Sequence, residues 1–111
     1  MRASNTVVLE RLKYVSDDFH TEPYETAWAK EAIFFIRLHE VIGNNTALQS
    51  YVQLSPDGVN WIDEGSAFPI MKTEENQFLR VNHFGGWLRL SCFVSGENPK
   101  LKLTIHLVLK S

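Results

Sequence analysis

The stretch Ser55-Pro56-Asp57-Gly58-Val59-Asn60-Trp61 (SPDGVNW, residues 55–61) decides how this chain folds, because it joins a tight turn to an aromatic side chain. Proline pre-sets φ for the first central position of a type I turn, aspartate tolerates the next position, and glycine adopts the conformation that leaves the turn. Strand-like segments lie on both sides. We therefore expect Trp61 to fold back over the turn and become buried, where its truncation to alanine would cost about 3–5 kcal/mol.

The segments around this turn alternate between apolar and polar residues with a period of two, which is typical of antiparallel strands with one exposed face. Residues 101–109 are the most regular, and residues 7–15 are less so, with Val8, Leu12 and Tyr14 apolar on one side. A helical turn over residues 27–31 is an alternative to a short strand ending at residue 28, which we prefer. With these two, the complete set of predicted strands besides that short one is residues 7–15, 32–42, 47–54, a short strand from residue 61, 77–82, 87–94 and 101–109.

These segments predict an all-β protein, an antiparallel β-sandwich of about eight strands with jelly-roll-like connections, formed by residues 1–111 as a single domain. Glycine and asparagine at residues 43–46 tolerate positive φ, so we expect a hairpin between residues 32–42 and 47–54. The side chains predicted to face the core are Phe34, Ile36, Leu38, Leu48, Val52, Leu54, Leu88, Leu90, Cys92, Val94 and the five aliphatic residues at odd positions of 101–109. We expect the Phe68 side chain to be buried at one end of the core.

Length and composition narrow the classes of function. The chain has 111 residues, with 11 basic and 13 acidic side chains and a formal net charge of −2, so we expect no bulk attraction to nucleic acid or anionic lipid. The N-terminal residues lack the apolar centre of a signal peptide, and the longest apolar run, residues 32–36, is far too short for membrane insertion. We therefore expect a cytoplasmic protein or part of a soluble assembly.

Residue types that carry catalysis or bind metals do not form a recognisable motif. The histidines are His20, His39, His83 and His106, and none has the close spacing of a metal site. The carboxylates form local pairs typical of solvated turns, and Cys92 lies in an apolar, alternating segment that favours burial. The sequence thus predicts a protein that is not an enzyme, with no metal and no cofactor.

Aromatic side chains are the main candidates for binding, because a core of this size cannot hold all of them. Exposed rings serve either as anchors of a protein interface or as platforms on which sugars stack, and ordinary packing on a sheet face is the third possibility. Carbohydrate binding would use Trp28, Trp87 or Tyr51. The predicted partner-binding residues are Phe19, Tyr24, Trp28, Tyr51, Trp87, Arg89 and Phe93.

Two resemblances extend this interpretation. SPDGVNW resembles a shortened aspartate-box turn of sialidase-type propellers, which implies the turn and no activity. AIFFIRLHEV, LQSYVQLSPDGVNW, FLRVNHFGGWLRLSCFVSG and LKLTIHLVL, spanning residues 32–109, together resemble short β-sandwich proteins of phage and prophage structural modules. The turn with its tryptophan and the aromatic–arginine strand are also similar to discoidin-like and carbohydrate-binding sandwiches. The resemblance to phage and prophage proteins implies a structural protein that binds itself or a larger protein. The similarity to carbohydrate-binding sandwiches implies carbohydrate binding as the alternative.

Overall fold

A computed structural model describes residues 4–82 and 84–111, which form one antiparallel sheet of seven strands. The order is β1-β7-β4-β5, with β2 and β3 also pairing with β7 and β6 with β4. The predicted all-β antiparallel class is confirmed, with seven described strands where about eight were expected. The strands are β1 (Ser4–Val15), β2 (Phe19–His20), β3 (Tyr24–Glu25), β4 (Glu31–Ser55), β5 (Ile62–Ala67), β6 (Asn76–Asn82) and β7 (Trp87–Lys110). Within the described ranges, no helix is long and apolar enough to cross a membrane.

Two long strands, β4 with 25 residues and β7 with 24, pair with each other along their lengths. The register of this pairing shifts near the middle of both strands. The predicted hairpin at residues 43–46 is wrong, because residues 31–42 and 47–55 are parts of one strand that both pair with β7. In the same way, residues 87–94 and 101–109 were expected to be separate strands and are two parts of β7. Residues with positive φ bend both strands at matching places instead of reversing the chain.

The bends depend on a close approach of the two backbones. Gly43 has φ +105°, and a Cβ atom there would lie 2.6 Å from the carbonyl oxygen of Asn98. Gly96 has φ +120°, and its Cβ would lie 2.8 Å from the carbonyl oxygen of Asn44. Thr46 Oγ1 also donates a hydrogen bond to the carbonyl oxygen of residue 42 at 2.8 Å. Both glycines are therefore required by conformation and by space.

These bends divide the sheet into two halves. The first half comprises β1, β6, residues 31–42 of β4 and residues 100–110 of β7; the second comprises β2, β3, β5, residues 47–55 of β4 and residues 87–95 of β7. A single hydrophobic cluster draws side chains from both halves. The predicted inward positions are confirmed, apart from Leu54 and Val94, which are half-buried against the cluster; Phe68 is buried as predicted.

The first strand differs from its predicted pattern. Val8, Leu12 and Tyr14 are exposed, while Leu9 and Val15 are the buried residues of β1. The cause is a pair of register shifts between residues 8 and 13, accompanied by φ +46° at Leu12, which change the side of the sheet that successive residues face.

The segment after β1 contains two short strands on the edge of β7. The strand predicted to end at Trp28 ends earlier, at Glu25, and the next residues form a turn in which the backbone N–H of Ala29 donates to the carbonyl oxygen of Thr26 at 3.0 Å. Thr26 Oγ1 donates to the carbonyl oxygen of Gly85, so this turn is fixed to the start of β7. The alternative of a helical turn over residues 27–31 is also wrong, because the turn is a single one over residues 26–29 and Glu31 already belongs to β4.

Candidate functional site

The turn at residues 55–61 is held by two side chains that accept hydrogen bonds from its own backbone. Ser55 Oγ accepts from the backbone N–H groups of Asp57 and Gly58, at 3.2 and 2.9 Å. Asp57 Oδ1 accepts from the backbone N–H groups of Val59 and Asn60, both at 2.9 Å. Because these bonds favour the ionised carboxylate, the pKa of Asp57 lies well below its usual range. The turn is thus locally self-sufficient and keeps a negative charge at the surface.

The aromatic ring beneath this turn is not the one that the sequence predicts. Trp61 is only half-buried, so its predicted burial is wrong. A Cβ atom on Gly58 would lie 3.1 Å from the ring of Trp87, which shows that the turn packs on Trp87. Trp61 instead lies beside Arg89, whose guanidinium carbon is 4.3 Å from the centre of a Trp61 ring. The turn is therefore anchored by the tryptophan that begins β7.

A connected group of polar and aromatic side chains occupies the outer face of the second half. Arg89 Nε donates to Gln53 Oε1 at 2.8 Å, and Gln53 Nε2 donates to Asp63 Oδ1 at 3.0 Å. Tyr51 and Phe93 meet edge to face, with ring centroids 5.7 Å apart at 75°. These contacts hold the side chains in defined positions. We call this surface the Tyr51 face, defined as Tyr51, Gln53, Trp61, Asp63, Arg89 and Phe93.

His20 borders the Tyr51 face, because β2 places it opposite Ser91. Its pKa is lowered from the usual histidine value, first by partial burial and second by the positive charge of Arg89. His20 is consequently neutral at pH 7, and Arg89 is the cation of this face.

The structure brings three of the predicted binding residues together on the Tyr51 face, namely Tyr51, Arg89 and Phe93. Trp87 points to the same side of β7 but lies beneath the turn. Phe19 and Tyr24 are half-buried and pack against the core, opposite Cys92 and Leu88 respectively. Trp28 is exposed in the turn that follows β3, apart from the others.

A second exposed surface, not singled out from the sequence, covers the outer face of the first half. Two rows of paired residues cross four strands there: Val8, His106, Phe35 and Phe78 in one row, and Thr6, Val108, Ile33 and Arg80 in the other. We call these eight residues the Phe35 face. The sequence contains one signal of this surface. Ile33 and Phe35 place apolar side chains on the outward side of a strand whose inward side is also apolar.

Aromatic contacts organise the Phe35 face. The rings of Phe35 and Phe78 have centroids 6.1 Å apart, and the guanidinium carbon of Arg80 lies 5.0 Å from the Phe78 ring centre. Phe35 is 39% exposed and Phe78 50% exposed, although both belong to regular strands. An open depression of about 400 Å³ lies beside them, lined in part by Thr6 and His106. This surface can accept apolar groups from another molecule.

Residues able to bind a metal do not gather in the described parts of the chain, where no group of three or more His, Cys, Asp or Glu side chains occurs. His39 Nε2 lies 2.8 Å from Thr104 Oγ1, and His106 belongs to the Phe35 face. The candidate His83 lies outside the described residues. Burial raises the pKa of Cys92 to about 12, although a hydrogen bond from Ser50 opposes the shift, so the thiol stays protonated at neutral pH.

The sequence matches no protein-family model. It also matches no curated protein. Among solved structures, the fold is similar to that of the SPBc2 prophage-derived protein YomS, with a TM-score of 0.64 and 8% identity over 100% of this chain and 96% of that chain. It is also similar to a chain of infectious bursal disease virus Gx strain, with a TM-score of 0.65 and 10% identity over 98% of this chain and 32% of that one.

A third similar structure is dimeric latent PorU from Porphyromonas gingivalis, with a TM-score of 0.54 and 9% identity over 99% of this chain and 13% of that chain. At identities of 8–10%, these similarities concern the fold alone. They include a prophage protein, so the resemblance to phage and prophage proteins is supported at the level of an all-β fold.

Proposed function

We propose that this chain is a non-catalytic structural protein that binds itself or a larger protein and helps to build or decorate a multi-subunit assembly. The observation that carries this proposal is the exposure of Phe35 and Phe78 on a regular sheet face, with a second aromatic surface, the Tyr51 face, on the other half. Contiguous apolar and aromatic surface on a folded protein is typical of interaction sites, where aromatic residues and arginine are enriched.

The comparisons support this proposal at the level of fold. YomS, a prophage-derived protein, is aligned over 96% of its length, and the viral chain contains a region of similar fold. A role as a phage-like structural component agrees with both.

We further propose that the two halves of the sheet face each other as the layers of a jelly-roll-like sandwich. A straight strand of 25 residues would span roughly 80 Å at about 3.3 Å per residue. The longest dimension of the molecule is 47 Å, so β4 must bend strongly. Asn5 of the first half donates a hydrogen bond to Tyr24 Oη of the second at 3.4 Å, and one core cluster includes both halves. These observations support two packed layers.

Carbohydrate binding is the alternative function, and it requires flat, accessible rings. Trp87 lies beneath the turn, and the Tyr51 ring meets Phe93 edge to face. Two of the three predicted platforms are therefore engaged within the molecule, while Trp28 is exposed. The arrangement favours a protein partner over a sugar, and retention on a glycan array that is lost in Trp28→Ala would reverse this preference.

The proposed function is tested by purifying the protein from its native source and identifying what accompanies it, together with light scattering of the pure chain at high concentration. We expect a stoichiometric protein partner, a self-associated species, or both. A strict monomer that copurifies with no protein would contradict the proposal.

A further inference from the structure

Charge is distributed unequally between the two halves of the sheet. The strands of the first half carry seven basic side chains and three carboxylates, whereas those of the second half carry three carboxylates and one arginine. Residues 21–23 and 56–61, which connect strands of the second half, and residues 16–18, which lead into it from β1, add four carboxylates and no lysine or arginine. The other two connections between the halves, residues 26–30 and 68–75, carry two lysines and two glutamates. The modest net charge of −2 therefore conceals a basic half and an acidic half.

The basic charges border the Phe35 face. Arg80 lies within it, on the ring of Phe78. Arg37 and Lys110 are exposed next to its two rows, each paired within the strands that form the face. Glu31 lies opposite Lys110, and Glu74 and Glu75 line a depression together with Arg37. The Phe35 face is thus an apolar surface that contains Arg80, on strands that carry seven basic side chains and three carboxylates.

The acidic charges border the Tyr51 face. Asp63 belongs to it, and Glu25 lies opposite Trp87 on the neighbouring short strand. Asp57, in the adjoining turn, stays ionised because backbone N–H groups donate to it. The single cation, Arg89, is positioned against the ring of Trp61 and bonded to Gln53.

We propose that copies of this chain associate head to tail, with the Phe35 face of one copy against the Tyr51 face of the next. This inference rests on the proposed structural function and names its partner as a second copy of the chain. The apolar and aromatic side chains supply buried area. The opposite net charges of the two halves, with Arg80 on one face and Asp63 on the other, select this orientation, because complementary charges steer association and like charges oppose it.

A two-fold contact of the Phe35 face with itself is disfavoured by the same charges. In such a contact the same patch lies on both sides, so the net basic strands of one copy face the net basic strands of the other. A head-to-tail contact instead brings Arg80 towards the carboxylate of Asp63. Head-to-tail contacts leave one free face at each end, so they generate rings or open chains.

The area available indicates a weak contact. Four strands about 4.8 Å apart, paired over seven residues at about 3.3 Å per residue, give the Phe35 face and its borders an area of roughly 440 Å². Both copies together would then bury about 900 Å², below the usual range of stable, specific interfaces. We therefore expect association that depends on concentration and decreases when salt screens the charges.

Two charge reversals test the proposal. Arg80→Glu damages only the Phe35 face, and Asp63→Lys damages only the Tyr51 face. Sedimentation velocity at low ionic strength should show self-association of the wild type and a loss of about tenfold or more in the association constant for each variant alone. An equimolar mixture of the two variants should associate, with heterodimers as the first species, because each contributes the face that the other lacks and the two reversed side chains also have opposite charges.

Matched variants control for net charge and folding. Lys72→Glu changes the net charge as Arg80→Glu does, and Glu97→Lys changes it as Asp63→Lys does. Residues 72 and 97 are exposed and lie outside both faces, so their variants should associate like the wild type. Thermal unfolding of all four variants verifies that each is folded. A fifth variant, Phe78→Ser, tests the apolar part of the contact and should also weaken association.

Three results would overturn the head-to-tail arrangement: a monomeric wild type at low salt, Asp63→Lys that self-associates normally while Arg80→Glu does not, or a mixture without heterodimers. The second result indicates two-fold pairing through the Phe35 face. A monomer that copurifies with a different protein in stoichiometric amount would refute this inference and leave the proposed function standing. A monomer with no partner would refute both.

Discussion

The two halves of the sheet share one core and differ on their outer faces. Most inward positions of both halves are apolar and buried, as at Leu90 in the second half and Ile105 in the first. Outward, the first half presents the apolar Phe35 face on net basic strands, and the second presents the polar and aromatic Tyr51 face with acidic borders. The inward positions of the two halves are thus alike, and the difference between the halves lies in their outward side chains.

The strongest test of this distinction compares two neighbouring phenylalanines. Phe34 is fully buried, whereas Phe35 is 39% exposed on the outer face. We expect Phe34→Ala to lower the free energy of unfolding by about 3–5 kcal/mol, and Phe35→Ala to lower it by roughly 1 kcal/mol, because less area is lost and no cavity forms. Urea denaturation of both variants measures the difference. Equal losses would show that the Phe35 face is part of the core.

The bends that separate the halves offer the next test. Gly43→Ala and Gly96→Ala should each destabilise the protein by about 1–3 kcal/mol or more, because a Cβ atom would meet backbone oxygen atoms at a strained φ. Gly65→Ala is the matched control, since Gly65 also has positive φ, +113°, but its Cβ would meet nothing within 4 Å. Thermal unfolding should rank both bend variants below the control. An equal loss at Gly65 would show that φ strain alone sets the cost.

A smaller, pH-dependent effect is expected at Asp57 in the second half. Its folded pKa is lowered, so its contribution is present above the unfolded carboxyl pKa near 4 and is lost as pH falls through the folded pKa. Asp57→Ala should be less stable than the wild type at pH 7, and the difference should shrink below about pH 4. Urea denaturation across this range measures it. A difference that is constant with pH would contradict the assigned hydrogen bonds.

The buried face of the second half predicts a slow reaction at Cys92. The side chain is 1% exposed and burial raises its pKa to about 12, so a thiol reagent at pH 8 should react about a hundredfold or more slowly than with the unfolded chain. Unfolding in urea should release the full reaction rate. Fast labelling of the native protein would show that this part of the core opens easily.

Much of the core could be predicted from the sequence, because the period of two fixes which side chains share a face. Leu101 to Leu109 and Phe34 to Leu38 are buried at the alternate positions that this pattern indicates. The bends could not be predicted, since glycine and asparagine with positive φ suit a hairpin as well as a bend. Only pairing with a distant strand, β7, distinguishes the two.

The candidate site was predictable to a lesser extent. Arg89 and Phe93 share a face because they are four residues apart on one strand, and Tyr51 joins them through the pairing of β4 with β7. The sequence could not predict that Trp87, and not Trp61, lies beneath the turn, because local turn signals do not specify which ring packs there. The Phe35 face needs β1 and β6 alongside β4 and β7, a register that no local pattern contains.

The most direct test of the account is the mean mass of the wild-type protein by light scattering at increasing concentration, in low salt and again in high salt. The monomer mass is 12.8 kDa. We predict a mass that rises above this value with concentration in low salt and returns towards it in high salt, because contacts between oppositely charged faces are screened. A mass of one monomer at every concentration, or association that strengthens as salt is added, would contradict the claim that the two faces are complementary.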